Sequence, residues 1–445
     1  AMGTIVEEEP YVAVVDGPFL DDICSHCFMR SSIPDKALLR CSRCHVLRYC
    51  STTCQGSDWT IHKHECSFLA SVSPNVPQSK ARLLARLLIR KLKGESTSVK
   101  AFNGRCFDDL MDHADEIKQS GEHLPLFTAL CFGLSQFIDE KYRVETPELL
   151  RYFGRAVINS FGITGDDQVT VGEGIYLGLS ALNHSCDPDA FVRFRGRTAV
   201  LRTVNVSING FSNQLTIPYT NLDTLTSERR ANLKKQYFFT CNCRVCTDPL
   251  RDGYARSLMC KECPTGICIV TELDQMLTCD NCGAVNPIPV EEAFRMNQEI
   301  EWQLEKEKDH KDIFRNLKSD MDLFAKYDNI LSKYNLPLAS LAYRIVNLAL
   351  SIDRRDDASR HAYKFVHAYR RYLPLGHPLL TSCLQTAAIA ASFDEPPTGQ
   401  VLFLLEEARS ACNLSHGPGP VMIELNNQTD MYRSRMHTYR LQNGS

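Results

Sequence analysis

Ser180-Ala181-Leu182-Asn183-His184-Ser185-Cys186-Asp187-Pro188 is the stretch on which the reading of this chain turns. It sets an amide, an imidazole, a hydroxyl and a thiol at consecutive positions. As a nucleophile and base it fails. A hydrolase needs those groups converging from different elements, and adjacent residues do not face each other. Around the stretch the apolar pattern turns strand-like: Ile175-Tyr176, Ala190-Phe191-Val192-Arg193-Phe194, Ala199-Val200-Leu201 and Leu215-Thr216-Ile217 read as short strands, with turns at Gly174, Gly196 and Gly210. The thiol has a different use. Cys241-x-Cys243-x2-Cys246 offers three ligands, a structural zinc needs four, and Cys186 is the best remaining donor.

Cysteine dominates the rest of the chain, with 20 in all. In a large chain without a secretory signal, thiols stay reduced, so closely spaced pairs read as metal ligands. The first block is Cys24-x2-Cys27, Cys41-x2-Cys44, Cys50-x3-Cys54 and His62-x3-Cys66. Its eight ligands predict two interleaved zinc sites, Cys24, Cys27, Cys50 and Cys54 on one ion and Cys41, Cys44, His62 and Cys66 on the other. So few apolar residues lie there that metal must supply the folding energy. His45 and His64 lack the spacing to Cys66 and are expected at the surface. Cys260-x2-Cys263-x15-Cys279-x2-Cys282 has the spacing of a zinc ribbon. Together these make about four structural zinc ions, each with a closed ligand set. Cys106, Cys131, Cys268, Cys383 and Cys412 are left as buried apolar residues, Cys268 with a second reading as a ribbon ligand.

The chain has 445 residues, enough for about two to four domains. A net charge of -3 excludes a wholesale basic nucleic-acid coat. No apolar run reaches about 18 residues, so no membrane span is expected. Ala1-Met2-Gly3 reads as a cloning remnant. Thr4-Ile5-Val6 and Tyr11 to Val15 read as strands. Lys80 to Lys93 reads as an amphipathic helix, Leu83, Leu84, Leu87, Leu88 and Leu92 packing inward and Arg82, Arg86, Arg90 and Lys93 forming a solvated basic face. Beyond Pro289 helices are predicted over 313–324, 338–352, 358–372, 379–393 and 401–414. Leu375-Gly376-His377-Pro378 and Ser415-His416-Gly417-Pro418 recur as helix-ending punctuation, a pattern of TPR-like repeats.

All eight ligands of the first block, with Tyr49 and Trp59, resemble the MYND zinc finger. Gly172-Glu173-Gly174-Ile175-Tyr176, the Ser180–Pro188 stretch, Leu215-Thr216-Ile217-Pro218-Tyr219, Glu228-Arg229-Arg230, Gln236-Tyr237-Phe238-Phe239 and Cys241 to Cys246 resemble the SET domain of protein lysine methyltransferases. A finger inserted in such a domain, followed by a helical half, resembles the SET-and-MYND (SMYD) family over nearly the whole chain. The resemblance implies an α+β fold: a SET-domain β fold of small sheets, an inserted MYND finger, a zinc-bound post-SET segment and an all-α TPR-like C-terminal domain. The expected boundaries are 3–23 and 67–240 for the SET domain with its helical insertion, 24–66 for the finger, 241–285 for the post-SET region plus ribbon, and 286–445 for the helices. The ribbon lies outside the family's pattern. No Gly-x-Gly cofactor turn precedes Thr4 in this sequence, Phe211-Ser212-Asn213-Gln214 stands where Gly-Glu-Glu is usual, and Asp189 replaces a common Asn.

By the same resemblance the chain is an S-adenosylmethionine-dependent protein-lysine N-methyltransferase, a chromatin regulator acting on histone or non-histone proteins. Tyr219 matches the catalytic tyrosine. Asn183 and His184, with Ser180 and Leu182, match cofactor contacts. Tyr237 and Phe239 match aromatics shared by the cofactor pocket and the lysine channel, and Phe161 matches a further channel residue. An aromatic channel suits the chemistry, because it desolvates the lysine amine toward its neutral form and tolerates the methylammonium product. Proline-rich peptides are the partners implied for the finger, and duplex DNA is a weaker candidate for its basic surface of Arg40, Arg43, Arg48 and Lys63. A cytoplasmic and nuclear monomer is expected. The competing reading is a zinc-rich scaffold of weak or absent activity that binds proline-rich peptides.

Overall fold

The computed structural model describes residues 3–30, 37–165, 169–204, 210–271, 276–306 and 312–443. Short β-branched runs broken by glycine make small sheets instead of one large one. Thr198–Thr203 is the centre of a three-stranded antiparallel sheet, flanked by Thr4–Glu8 and Ala190–Arg195. Thr170–Ile175 is the centre of a second, between Val12–Val15 and Ser160–Thr164. The hairpin turn between Arg195 and Thr198 needs Gly196, whose φ is +58°. A Cβ at Gly196 would stand 2.2 Å from the Cys27 carbonyl oxygen, and the Arg197 amide donates to that oxygen at 3.1 Å. The turn is thus where the first cysteine block rests on the sheet.

In that block, Leu39–Arg40 pairs with Arg48–Tyr49, and the helix Thr52–His62 is capped by Ser51, whose hydroxyl accepts the Cys54 amide at 3.1 Å. The helix Ser79–Leu92 forms with Leu83, Leu84, Leu87 and Leu88 buried, but Leu92 is exposed, and of the expected basic face only Lys93 is exposed. Arg82 and Arg86 are 2% and 7% exposed. Arg86 donates to Asp58 at 3.1 Å, to Glu65 at 2.6 Å and to the Ala13 carbonyl at 3.1 Å, while Arg82 donates to the Val15 carbonyl. Carboxylates of the finger and carbonyls of the strand Val12–Val15 claim this side of the helix, so the finger docks where water was expected.

The C-terminal half is helical. Ile313–Tyr327, Leu336–Ser351, Pro378–Ala391 and Gly399–Ser415 form as expected, within a few residues at their ends. Two further helices, Val290–Lys306 and Pro420–Asn443, were not foreseen, and the single helix expected over 358–372 is two, Arg355–His361 and Val366–Tyr372. The two punctuation motifs do different jobs. His377 starts a helix, its side chain accepting the Leu379 amide at 3.1 Å with Pro378 in the first turn, whereas Gly417 at φ +71° follows a helix end. No helix among the described residues is long and apolar enough to cross a membrane.

Two cores result. One joins the sheets, the first cysteine block and the helices up to Ile217; the other joins the later cysteines to the C-terminal helices. Tyr219 packs against both.

Candidate functional site

The seam between the cores gathers most of the residues singled out above. Asn183–His184 pairs in parallel with Thr216–Ile217, Asn183 opposite Thr216 and His184 opposite Ile217. Two residues further on, the Tyr219 amide donates to His184 Nδ1 at 3.0 Å, and the Tyr219 hydroxyl donates to the Leu182 carbonyl. The Tyr219 ring lies 4.8 Å from Tyr237, 5.4 Å from His184 and 6.5 Å from Phe239. His184 and Phe239 are 5.9 Å apart. Asn183 is exposed beside this group, and Phe239 is 36% exposed. Phe161 stands on the first core, its ring at right angles to Tyr176 at 5.7 Å.

Burial sets the protonation here. It lifts the Tyr219 hydroxyl to about 12 and raises Tyr237, so both stay neutral donors near pH 7. Burial, helped by the Arg229 guanidinium, lowers His184 to about 4, leaving a neutral imidazole. The site therefore contains aromatic faces, fixed dipoles and an open edge at Asn183, with no group among these poised as a base near pH 7. Such a pocket can desolvate and orient an amine next to a bound methyl donor.

Several supporting residues escaped the sequence reading. Glu8 is buried, and its carboxylate accepts the Gly178 amide at 2.7 Å and the Leu179 amide at 2.9 Å, fixing the turn that carries Ser180 and Leu182. Burial raises its pKa. Gly178 also has no room for a side chain: a Cβ would sit 2.3 Å from the Phe102 ring, and Asn103 donates to the Gly178 carbonyl at 3.1 Å. Asp189, the departure noted above, accepts the Thr216 amide at 2.9 Å and hydroxyl at 2.8 Å, so this carboxylate holds the paired strands together. Glu8 stands in an acidic triple and carried no signal; Arg229 stands in a quoted motif but had been given no task.

The cysteines form four groups, in each of which the ligand atoms all lie within 4.8 Å of one another: Cys24, Cys27, Cys50, Cys54; Cys41, Cys44, His62, Cys66; Cys186, Cys241, Cys243, Cys246; and Cys260, Cys263, Cys279, Cys282. Four thiolates at about 2.3 Å from one zinc stand about 3.8 Å apart. Sulfur pairs at 3.7 Å (Cys27–Cys50, Cys41–Cys66, Cys260–Cys282, Cys263–Cys279) and 3.5 Å (Cys186–Cys246) match that tetrahedral edge, far from disulfide length. The donor sets fit zinc in all four groups. Glu65 backs the histidine ligand, 3.3 Å from His62 Nδ1. Outside the groups, Cys268 accepts from Asn286 at 3.6 Å. Cys268, Cys383 and Cys412 are buried as expected, but Cys106 and Cys131 are half-buried. His45 is exposed, whereas His64 is half-buried against the Tyr142 hydroxyl at 2.5 Å.

Comparison with known proteins bears on both regions. The model of the MYND finger matches residues 24–66. Human "Histone-lysine N-methyltransferase SMYD3" is 32% identical over 232 residues, 52% of this chain and 53% of that protein. The mouse protein of the same name is 26% identical over 358 residues, 80% of this chain and 75% of its own length. "Histone-lysine N-methyltransferase ASHR1" of Arabidopsis thaliana is 24% identical over 402 residues, covering 84% and 79% of the two chains. At 30% identity and above, the chain spans about half the length of the relatives it matches.

Proposed function

From its likeness to SET-and-MYND lysine methyltransferases we infer that this chain belongs to that family and is a protein-lysine N-methyltransferase using S-adenosylmethionine. The observation that carries the reading is the convergence of Asn183, His184, Tyr219, Tyr237 and Phe239 on one seam between two cores. The bound cofactor supplies an electrophilic methyl on a sulfonium. Asn183, at the open edge, is suited to its amino-acid portion, while Ser180 and Leu182 line the turn behind. The rings of Tyr219, Tyr237 and Phe239 exclude water from an incoming lysine, which favours its neutral amine. The Tyr219 hydroxyl, neutral and already aimed at the Leu182 carbonyl, orients the amine together with that oxygen. Orientation of this kind supplies much of the barrier reduction in an in-line displacement.

The substrate class is a protein lysine, histone or non-histone, and the finger serves protein interaction, with proline-rich peptides as its proposed ligands. The same reading puts the chain in reducing compartments, cytoplasm and nucleus, supported by thiols gathered as metal ligands and not joined as disulfides. Transfer of labelled methyl from S-adenosylmethionine to core histones and to a lysine-containing protein pool tests the reading. The parent protein is expected to transfer, and Tyr219→Phe to lose about 100-fold or more in rate while keeping its fold. Transfer undiminished by Tyr219→Phe refutes the tyrosine's role. No transfer, with proline-rich peptide binding retained, favours the scaffold.

A further inference from the structure

We propose that His184 is a positioning residue that ties the zinc centre of Cys186, Cys241, Cys243 and Cys246 to the backbone of Tyr219, so that occupancy of this centre sets where the tyrosine stands. The functional meaning rests on the methyltransferase reading of Tyr219; the tie itself does not.

The sequence spacing prepares it. His184 ends the strand Asn183–His184 and Cys186 lies in the bend that follows, which brings imidazole and thiol together. Strand pairing of His184 with Ile217 then carries Tyr219 to the other ring nitrogen. The Tyr219 amide donates to Nδ1 at 3.0 Å, and an amide nitrogen cannot accept, so Nδ1 is unprotonated and Nε2 holds the ring hydrogen. Nε2 lies 3.3 Å from Cys186 Sγ, where a zinc-bound thiolate is an acceptor. The same sulfur receives Arg229 Nε at 3.3 Å, and Arg229 Nη2 lies 3.6 Å from Cys246 Sγ. Arg229 is fully buried, a cation suited to a centre in which four thiolates outweigh one zinc. Sulfur, imidazole and tyrosine backbone thus form one connected chain, which a zinc held by Cys186 would join at its sulfur end.

Two substitutions in the full zinc-loaded protein separate its halves. His184→Asn keeps an acceptor near the Nδ1 position and loses the donor to sulfur; His184→Gln keeps a donor near the Nε2 position and loses the acceptor. Zinc release to a chromogenic chelator should show one ion in four leaving about 10-fold faster in His184→Asn, with His184→Gln close to the parent. In the unsubstituted protein, hydrogen exchange at the Tyr219 amide should quicken in step with loss of one zinc equivalent, a measurement that stands even if the variants do not fold. Unchanged release from a folded His184→Asn, or Tyr219 exchange indifferent to zinc, each overturns the proposal. Neither readout involves methyl transfer, so a chain that never methylates can still pass.

Discussion

Arg86→Met should loosen the finger from the rest of the molecule. Asp58 and Glu65, at 5% and 2% exposed, face Arg86, and deletion of the guanidinium takes away the cation they share, leaving Asp58 with the Tyr49 hydroxyl and Glu65 with the His62 ring. Breaking a buried pair in this way costs about 3–5 kcal/mol. The titration agrees. Burial pushes the Glu65 carboxyl up, but Arg86 and His62 override it and hold it at about 2, against 4.5 for a free carboxyl. At 1.36 kcal/mol per unit that difference is worth about 3 kcal/mol, shared between Arg86 and His62. Because the folded pKa is the lower one, this stability is present above the unfolded value and is lost as pH falls from about 4.5 toward 2. Of the two tryptophans, Trp59 sits on the finger helix with its ring 5.7 Å from His62. Its fluorescence in a Trp302→Phe background reports finger unfolding in denaturant. Arg86→Met should shift that transition by about 3–5 kcal/mol at neutral pH, and adding Asp58→Asn with Glu65→Gln should recover much of the loss. A shift below about 1 kcal/mol, or no recovery in the triple variant, would refute the argument.

Two other expectations are simpler. Glu8→Ala strands the Gly178 and Leu179 amides, costing about 2 kcal/mol or more, and should weaken S-adenosylmethionine binding because the turn bearing Ser180 and Leu182 loosens; unchanged affinity by calorimetry counts against it. Elemental analysis should find four zinc ions per chain, and a value near two would remove both later centres.

The cysteine groups were legible because paired ligands on one metal lie two to four residues apart, a constraint written directly in the chain. The seam was legible as well, since its residues cluster in a few short stretches. Arg86 was not. Helical spacing assigns it to the outer face, and its partners Asp58 and Glu65 lie 28 and 21 residues away in the finger. Glu8 reads as one acid among three until Gly178 is brought to it across 170 residues. The break between His361 and Val366 falls within a stretch whose apolar pattern continues through Ala362 and Phe365, both fully buried, so periodicity could not mark it.

Titration calorimetry with S-adenosylmethionine meets the central claim most directly. One equivalent should bind per chain, and Asn183→Ala, which removes only an exposed amide, should weaken it about 10-fold or more while zinc content stays at four. A properly metallated protein that takes up no cofactor, or one whose affinity ignores Asn183, would contradict it.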